Sequence, residues 1–213
     1  ALGLATLRDR LVGMGGLADR QISQAMRALG YQNDELAQAV IKADDEVDRA
    51  ELDIDELCQI MLATRQPVAS DLRFITMSMK FVTDLERIGD LAVGIAKRSL
   101  ELSRLPPFKL HANLSQLAVL VQVNLRAALD SFVAKDPDRA TAVIMADIEV
   151  DRLNATLFAE LIAHVVADPA NVTRVLPLTS VCRYLERIGD HVKNLAEGVV
   201  YMVRARDVRH RSI

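Results

Sequence analysis

Apolar residues recur at spacings of three and four almost from end to end of the chain, and no segment alternates apolar and polar with period two over a useful length. That pattern predicts an all-helical protein. A first helix is expected from near Thr6, as N-cap, through Leu7, Leu11, Met14, Ala18, Ile22, Ala25 and Leu29 to Gly30. Its Met14-Gly15-Gly16 patch costs helix stability and points to a bend or to close approach of another helix. A second helix starts near Asn33 or Asp34 and stops at Gln66-Pro67, with Ala43, Val47, Ala50, Ile54, Leu57 and Met61 as its apolar stripe. A third begins at Ser70 or Asp71 and reaches about Leu102, burying Phe74, Phe81, Leu85, Ile88, Ala92 and Ile95.

After the break at Leu105-Pro106-Pro107, the pattern predicts three more helices. One spans roughly Leu110 to Ala134. The next starts at Asp136-Pro137, with aspartate as N-cap and proline in the first helical position, and ends near Asp168-Pro169. The last follows from Val172 or Thr173, places Pro177 in or near its first turn and buries Leu178, Val181, Leu185, Ile188, Val192, Leu195 and Val199. The prolines and most glycines outside the repeated segments are expected between helices.

The two halves are copies of one unit. Leu85-Glu86-Arg87-Ile88-Gly89-Asp90 returns unchanged as Leu185-Glu186-Arg187-Ile188-Gly189-Asp190, an offset of 100 residues. Ala43-Asp44-Asp45-Glu46-Val47-Asp48-Arg49 returns at an offset of 103 as Ala146-Asp147-Ile148-Glu149-Val150-Asp151-Arg152, with one change. Long helices joined by short connections run antiparallel, so each half, residues 1–105 and 108–213, is expected to close as an elongated three-helix bundle.

Composition narrows the function classes. The chain is 51% hydrophobic, yet no run approaches the roughly 20 apolar residues of a membrane span, and the start has neither signal-peptide nor transit-sequence features. A cytoplasmic protein is expected. It begins at Ala1 rather than Met, so a short native N-terminus is expected to precede it. Two cysteines, Cys58 and Cys182, are too few for a disulfide framework or a thiolate zinc site and read as buried apolar side chains. A net charge of −3 with no tryptophan argues against nucleic-acid binding. So much apolar residue in elongated bundles predicts self-association, as a homodimer.

The chemistry lies in the repeated acids. Asp44 with Asp48, Glu86 with Asp90, Asp147 with Asp151 and Glu186 with Asp190 are all spaced i, i+4, which stacks two carboxylates on one helix face. If facing helices bring two such pairs together, four carboxylates converge on a point that calls for a cation. Oxygen ligands suit Mg²⁺, Ca²⁺, Mn²⁺ or ferric iron. The competing arrangement pairs these acids with Arg49, Arg87, Arg152 and Arg187 on a solvated surface. Gly89 and Gly189, kept inside both copies, argue for a close approach to the backbone at that point. Among the four histidines only His191, next to Asp190, is placed to join a site; His111 and His210 fall near helix ends and His164 at a surface or core edge. Neither a Glu-x-x-His motif, nor a nucleophile with its base, nor a phosphate-binding glycine loop is present, so the chain reads as non-enzymatic, with a metal-dependent helical-bundle enzyme as the alternative.

The chain resembles the PhoU family of phosphate-signalling and phosphate-transport accessory proteins. The resemblance rests on Met14-Gly15-Gly16-Leu17, Arg65-Gln66-Pro67, Ala69-Ser70-Asp71-Leu72-Arg73, both Leu-Glu-Arg-Ile-Gly-Asp copies and Asp207-Val208-Arg209-His210. It implies two three-helix bundles with metal ions on Glu/Asp-x-x-x-Asp motifs, here Asp44, Asp48, Glu86, Asp90, Asp147, Asp151, Glu186 and Asp190. Iron, zinc, manganese, magnesium and calcium all stay open as the metal. It further implies a cytoplasmic, often dimeric negative regulator of the phosphate-starvation response. Such a regulator links the ATPase of a phosphate ABC transporter to a sensor histidine kinase and meets the membrane only through those partners. Asp84 corresponds to Tyr184 and Asp55 to Phe158, so the second site has fewer neighbouring acids and is expected to bind metal more weakly.

Overall fold

The computed structural model describes residues 2–67 and 69–205, and its six long helices are α1 (Leu2–Tyr31), α2 (Asp34–Arg65), α3 (Ala69–Leu102), α4 (Ala112–Ala134), α5 (Pro137–Ala167) and α6 (Val172–Arg204), with a short 3₁₀ turn at Pro169–Asn171 before α6. The Asp207–His210 motif and Ala1 lie outside the described residues. Helices α1–α3 pack on one another, α4–α6 do the same, and the two groups meet along α3 and α6 with a smaller contact between α1 and α4.

Local chemistry sets most boundaries. Asn33 caps α2 by accepting from the Leu36 amide, and Asp136 caps α5 by accepting from the amides of Asp138 and Arg139, with Pro137 in the first turn as expected. Helix α1 starts before Thr6, which is therefore interior to it rather than its cap. Pro177 lies inside α6, in its second turn, where most of the helix is still held from the C-terminal side. The expectation for glycines fails: every described glycine is helical and none has positive φ. The left-handed positions that end helices are taken by Gln32, Gln66, Lys135 and Ala205 instead.

The helical glycines serve close packing. A Cβ on Gly15 would lie 2.5 Å from Leu129 of α4, which accounts for the weak patch in α1 as a helix contact, while Gly13 and Gly16 face open space. At the α3/α6 seam a Cβ on Gly198 would lie 2.4 Å from the Phe81 ring. Phe81 meets Phe132 edge-on at 5.1 Å, and Phe132 stacks on Phe74 at 5.4 Å, joining the halves through one aromatic cluster. Asp19 of α1 adds a polar tie, accepting from Gln122 at 3.1 Å and from Arg126 at 2.9 Å on α4.

Two expectations about composition are refined. Helix α4 is long and apolar enough by length and composition to cross a membrane, but half of that stretch is buried against the bundle through residues such as Leu117, Val121 and Leu125. Both cysteines are buried, and burial pushes their thiols up, Cys58 to about 11 and Cys182 to about 12, so neither is a ready thiolate.

Candidate metal centre

The buried residues of α2 are Ala37, Val40, Val47, Ile54, Cys58 and Met61, and the half-buried Asp44 and Glu51 fall between them at steps of three and four. In α5 the buried residues include Ala140, Val143, Asp147, Val150, Leu157 and Leu161, with the half-buried Asn154 between Val150 and Leu157. Asp44 and Glu51 are half-buried, as are Ala43, Ala50 and Leu57 of the expected stripe, while Asp147 is buried. Asp147 is 6% exposed, an unusual place for a carboxylate unless something compensates its charge.

Helix α3 supplies the facing residues in the first half and α6 in the second. A Cβ on Gly89 would lie 3.3 Å from Val47 Cγ1 and 3.5 Å from Asp44 Oδ1, and one on Gly189 would lie 3.1 Å from Val150 Cγ1 and 3.4 Å from Asp147 Oδ1. The same contact is thus built twice. The glycine retained in each copy lets the acid-bearing helix approach, so that its Val and Asp rest on the neighbouring backbone.

In the first half, carboxylate oxygens of Asp48, Glu51 and Glu86 lie within 4.8 Å of one another, a spacing suited to a shared cation. Asp44 lies alongside, accepting from Gln21 Nε2 at 3.2 Å, and is influenced by the charges of Asp48 and Asp90. Gln21 is itself buried, and its Oε1 has no hydrogen-bond partner among the described residues, a further oxygen beside the acids. Arg87 approaches from the outside, Nε 3.4 Å from Glu86 and Nη1 3.3 Å from Asp90, so the expected arginine pairing is realised in part. Glu51 was not among the residues expected as ligands; the three-four spacing from Asp44 and Val47 is the signal that marks it.

The second half assembles Asp147, Asp151, Glu186 and Asp190 closely enough that neighbouring charges help to raise Asp147, Glu186 and Asp190. Its details differ. Asn154 stands where Glu51 stands in the first half, with Oδ1 buried and unpartnered among the described residues. Lys193, which replaces Val93, places Nζ 3.6 Å from Asp147 Oδ2. Arg152 pairs with Glu149 at 2.5 Å rather than with the cluster. His191 turns away to Asp84 across the seam, 2.8 Å from Nδ1 to Oδ1.

Electrostatics agree with the geometry. Burial first, then neighbouring carboxylates, raises Asp44, Glu51, Asp147, Glu186 and Asp190 above the usual carboxylate range. Glu86 is pushed up to about 7, by burial and then by a hydrogen bond and charge repulsion with Asp90. Carboxylates held in this way take up either protons or a cation.

A family model described as PhoU domain matches the chain twice, over residues 11–99 and 114–199. The chain is 42% identical over 208 residues to the Pseudomonas aeruginosa protein named phosphate-specific transport system accessory protein PhoU homolog, covering 97% of this chain and 86% of that one. It is 34% identical over 207 residues to the Escherichia coli K12 protein named phosphate-specific transport system accessory protein PhoU, with coverage of 97% and 86%. The fold is similar to the crystal structure of PhoU from Pseudomonas aeruginosa, with TM-score 0.92, 40% identity and coverage of 96% and 99%. It is similar as well to that of the phosphate transport system regulatory protein PhoU from Streptococcus pneumoniae, with TM-score 0.90, 28% identity and coverage of 97% and 98%.

Proposed function

The chain belongs to the PhoU family, and from that premise we propose that it is a non-enzymatic accessory regulator of phosphate uptake that keeps the phosphate-starvation response off when phosphate is sufficient. The observation that carries this reading is similarity in sequence and fold over nearly all of this chain, across both repeats, to proteins named for the phosphate-specific transport system. As an adaptor without turnover it signals by binding one state of a partner better than another. The partners in this reading are the ATPase of the phosphate ABC transporter and a sensor histidine kinase, met in the cytoplasm.

The acidic clusters supply the metal part of the reading. Asp48, Glu51 and Glu86, with Asp44 and Asp90 beside them, would hold one or more hard cations, and Asp147, Asp151, Glu186 and Asp190 would hold a second set. Bound metal neutralises carboxylates that burial leaves costly to ionise, and so stiffens the α2/α3 and α5/α6 contacts. Exposed apolar residues along α5, among them Met145, Ile148, Phe158 and Ile162, support the expected homodimer, which light scattering would test.

Deletion of the gene tests the regulatory reading. A starvation-promoter reporter is expected to stay active in phosphate-rich medium, and normal repression there would refute it. Elemental analysis of Asp48→Ala with Glu86→Ala tests the metal separately: metal content should fall with helical circular dichroism retained.

A further inference from the structure

A cleft of about 330 Å³ opens where the connection between the halves crosses the end of the second bundle. Phe108, Lys109 and His111 line it from the connection, His164 from α5, and Asn171 and Arg174 from the start of α6. These residues are distant in sequence and come from three elements. Lys109 and His164 stand exposed at the rim, while Arg174 and His111 are half-buried.

The arginine is held in place before any ligand arrives. Its guanidinium lies 5.2 Å from the Phe108 ring centre, and Nη2 donates to the Pro106 carbonyl at 3.2 Å. Its Nε is buried and has no acceptor among the described residues. A buried donor left unmade is costly, and more so on a cation. The His111 and His164 rings meet edge to face with centres 4.9 Å apart, and both line the same opening.

No carboxylate among the described residues lines the cleft, although acids outnumber bases in the chain. The nearest acids in sequence are engaged elsewhere: Glu160 accepts from Asn113 at 2.7 Å, and Asp168 accepts from the Ala170 amide at 3.0 Å. The lining therefore offers N–H donors and positive charge from several directions without an internal counter-charge. A monocarboxylate has two oxygens and would satisfy the arginine alone. A tetrahedral dianion presents acceptors in several directions at once, and guanidinium matches its geometry.

We propose that this cleft is a binding site for a small phosphate-type oxyanion, either inorganic phosphate or the phosphate group of a soluble monoester. It is separate from the acidic clusters and independent of whether they hold metal.

Isothermal titration of the full chain at constant ionic strength with inorganic phosphate, with glycerol phosphate and with acetate tests the site. Saturable binding at one site per chain is expected, tighter for phosphate or its ester than for acetate. Arg174→Gln should weaken it about tenfold or more. If Arg174→Gln loses helical circular dichroism, Lys109→Gln with His164→Asn at the exposed rim provides the same reading. Binding of both phosphates assigns the site to the phosphate group itself, and binding of glycerol phosphate alone assigns it to the ester. Absence of saturable binding, equal affinity for acetate, or affinity unchanged in a folded cleft variant would overturn the proposal.

Discussion

Oδ1 of Asp84 on α3 lies 2.8 Å from Nδ1 of His191 on α6, and the same oxygen accepts from Asn194 Nδ2 at 3.2 Å. The seam between the halves is pseudo-symmetric, since Tyr184 occupies the position of Asp84, and Gly94 that of Asn194. There a Cβ on Gly94 would lie 3.0 Å from the Tyr184 ring. One pair of positions is filled by a polar cluster and its mate by an aromatic ring on a glycine.

Asp84→Ala leaves the half-buried His191 and the exposed Asn194 without this acceptor and is expected to cost about 1 kcal/mol. Urea denaturation followed by circular dichroism measures it. A negligible change would mean that apolar contacts alone hold the seam.

The glycines give a paired prediction. Gly198→Ala puts a methyl 2.4 Å from Phe81 and 2.7 Å from Met77, inside a packed seam, and should cost about 1–3 kcal/mol from overpacking. Gly13→Ala meets nothing within 4 Å and should stabilise the helix by about 0.5–1 kcal/mol. Thermal melts that moved both variants in the same direction would contradict the packing account.

The six helices and the duplication were legible because period and punctuation agreed over long segments, and every residue of the α1 stripe from Leu7 to Leu29 is buried. The stripe of α2 was legible in part. Val47, Ile54 and Met61 are buried as expected, but Ala43, Ala50 and Leu57 are only half-buried, as are Asp44 and Glu51, which fall at three-four steps between buried residues. Glu51 was missed because its residue type is not that of the row it joins. Helical glycines misled similarly, because what they accommodate, Leu129 against Gly15 or Phe81 against Gly198, belongs to another helix. The meeting of His111 and His164 depends on how the connection folds back, which no local pattern reveals.

Acid titration should show the strain in the clusters. Glu86 is raised to about 7 and Asp44, Asp147 and Asp190 are also raised, so the metal-free folded chain binds more protons than the unfolded chain between the ordinary carboxylate range and about 7. Stability must then fall as pH rises through that window, because the unfolding free energy changes with pH as protons bound unfolded minus protons bound folded. Adding a divalent cation should flatten or reverse the slope, since metal binding requires the deprotonated form. Chelator-treated protein melted across this range, with and without Mg²⁺ or Mn²⁺, checks the sign; a stability that rises with pH in the absence of metal would count against the raised carboxylates.

Lys193 makes the two halves unequal toward metal. Its ammonium 3.6 Å from Asp147 supplies an internal cation where the first half has Val93, and Asn154 replaces the candidate ligand Glu51 with a neutral oxygen. A metal ion entering the second cluster must displace that ammonium and works with one fewer carboxylate, whereas the first cluster has no lysine in its place. Metal titration of the stripped protein should therefore show unequal sites, with the first half filling at lower concentration. Lys193→Val should tighten the weaker site by about tenfold, the scale of one lost like-charge contact at a partly buried position. The reciprocal change, Val93→Lys, should weaken the stronger site, and its effect is readable without any partner because it appears in the stoichiometry. If both variants left two equal sites, the lysine would be a surface ion pair without bearing on metal, and the difference between the halves would have to lie with Asn154 alone.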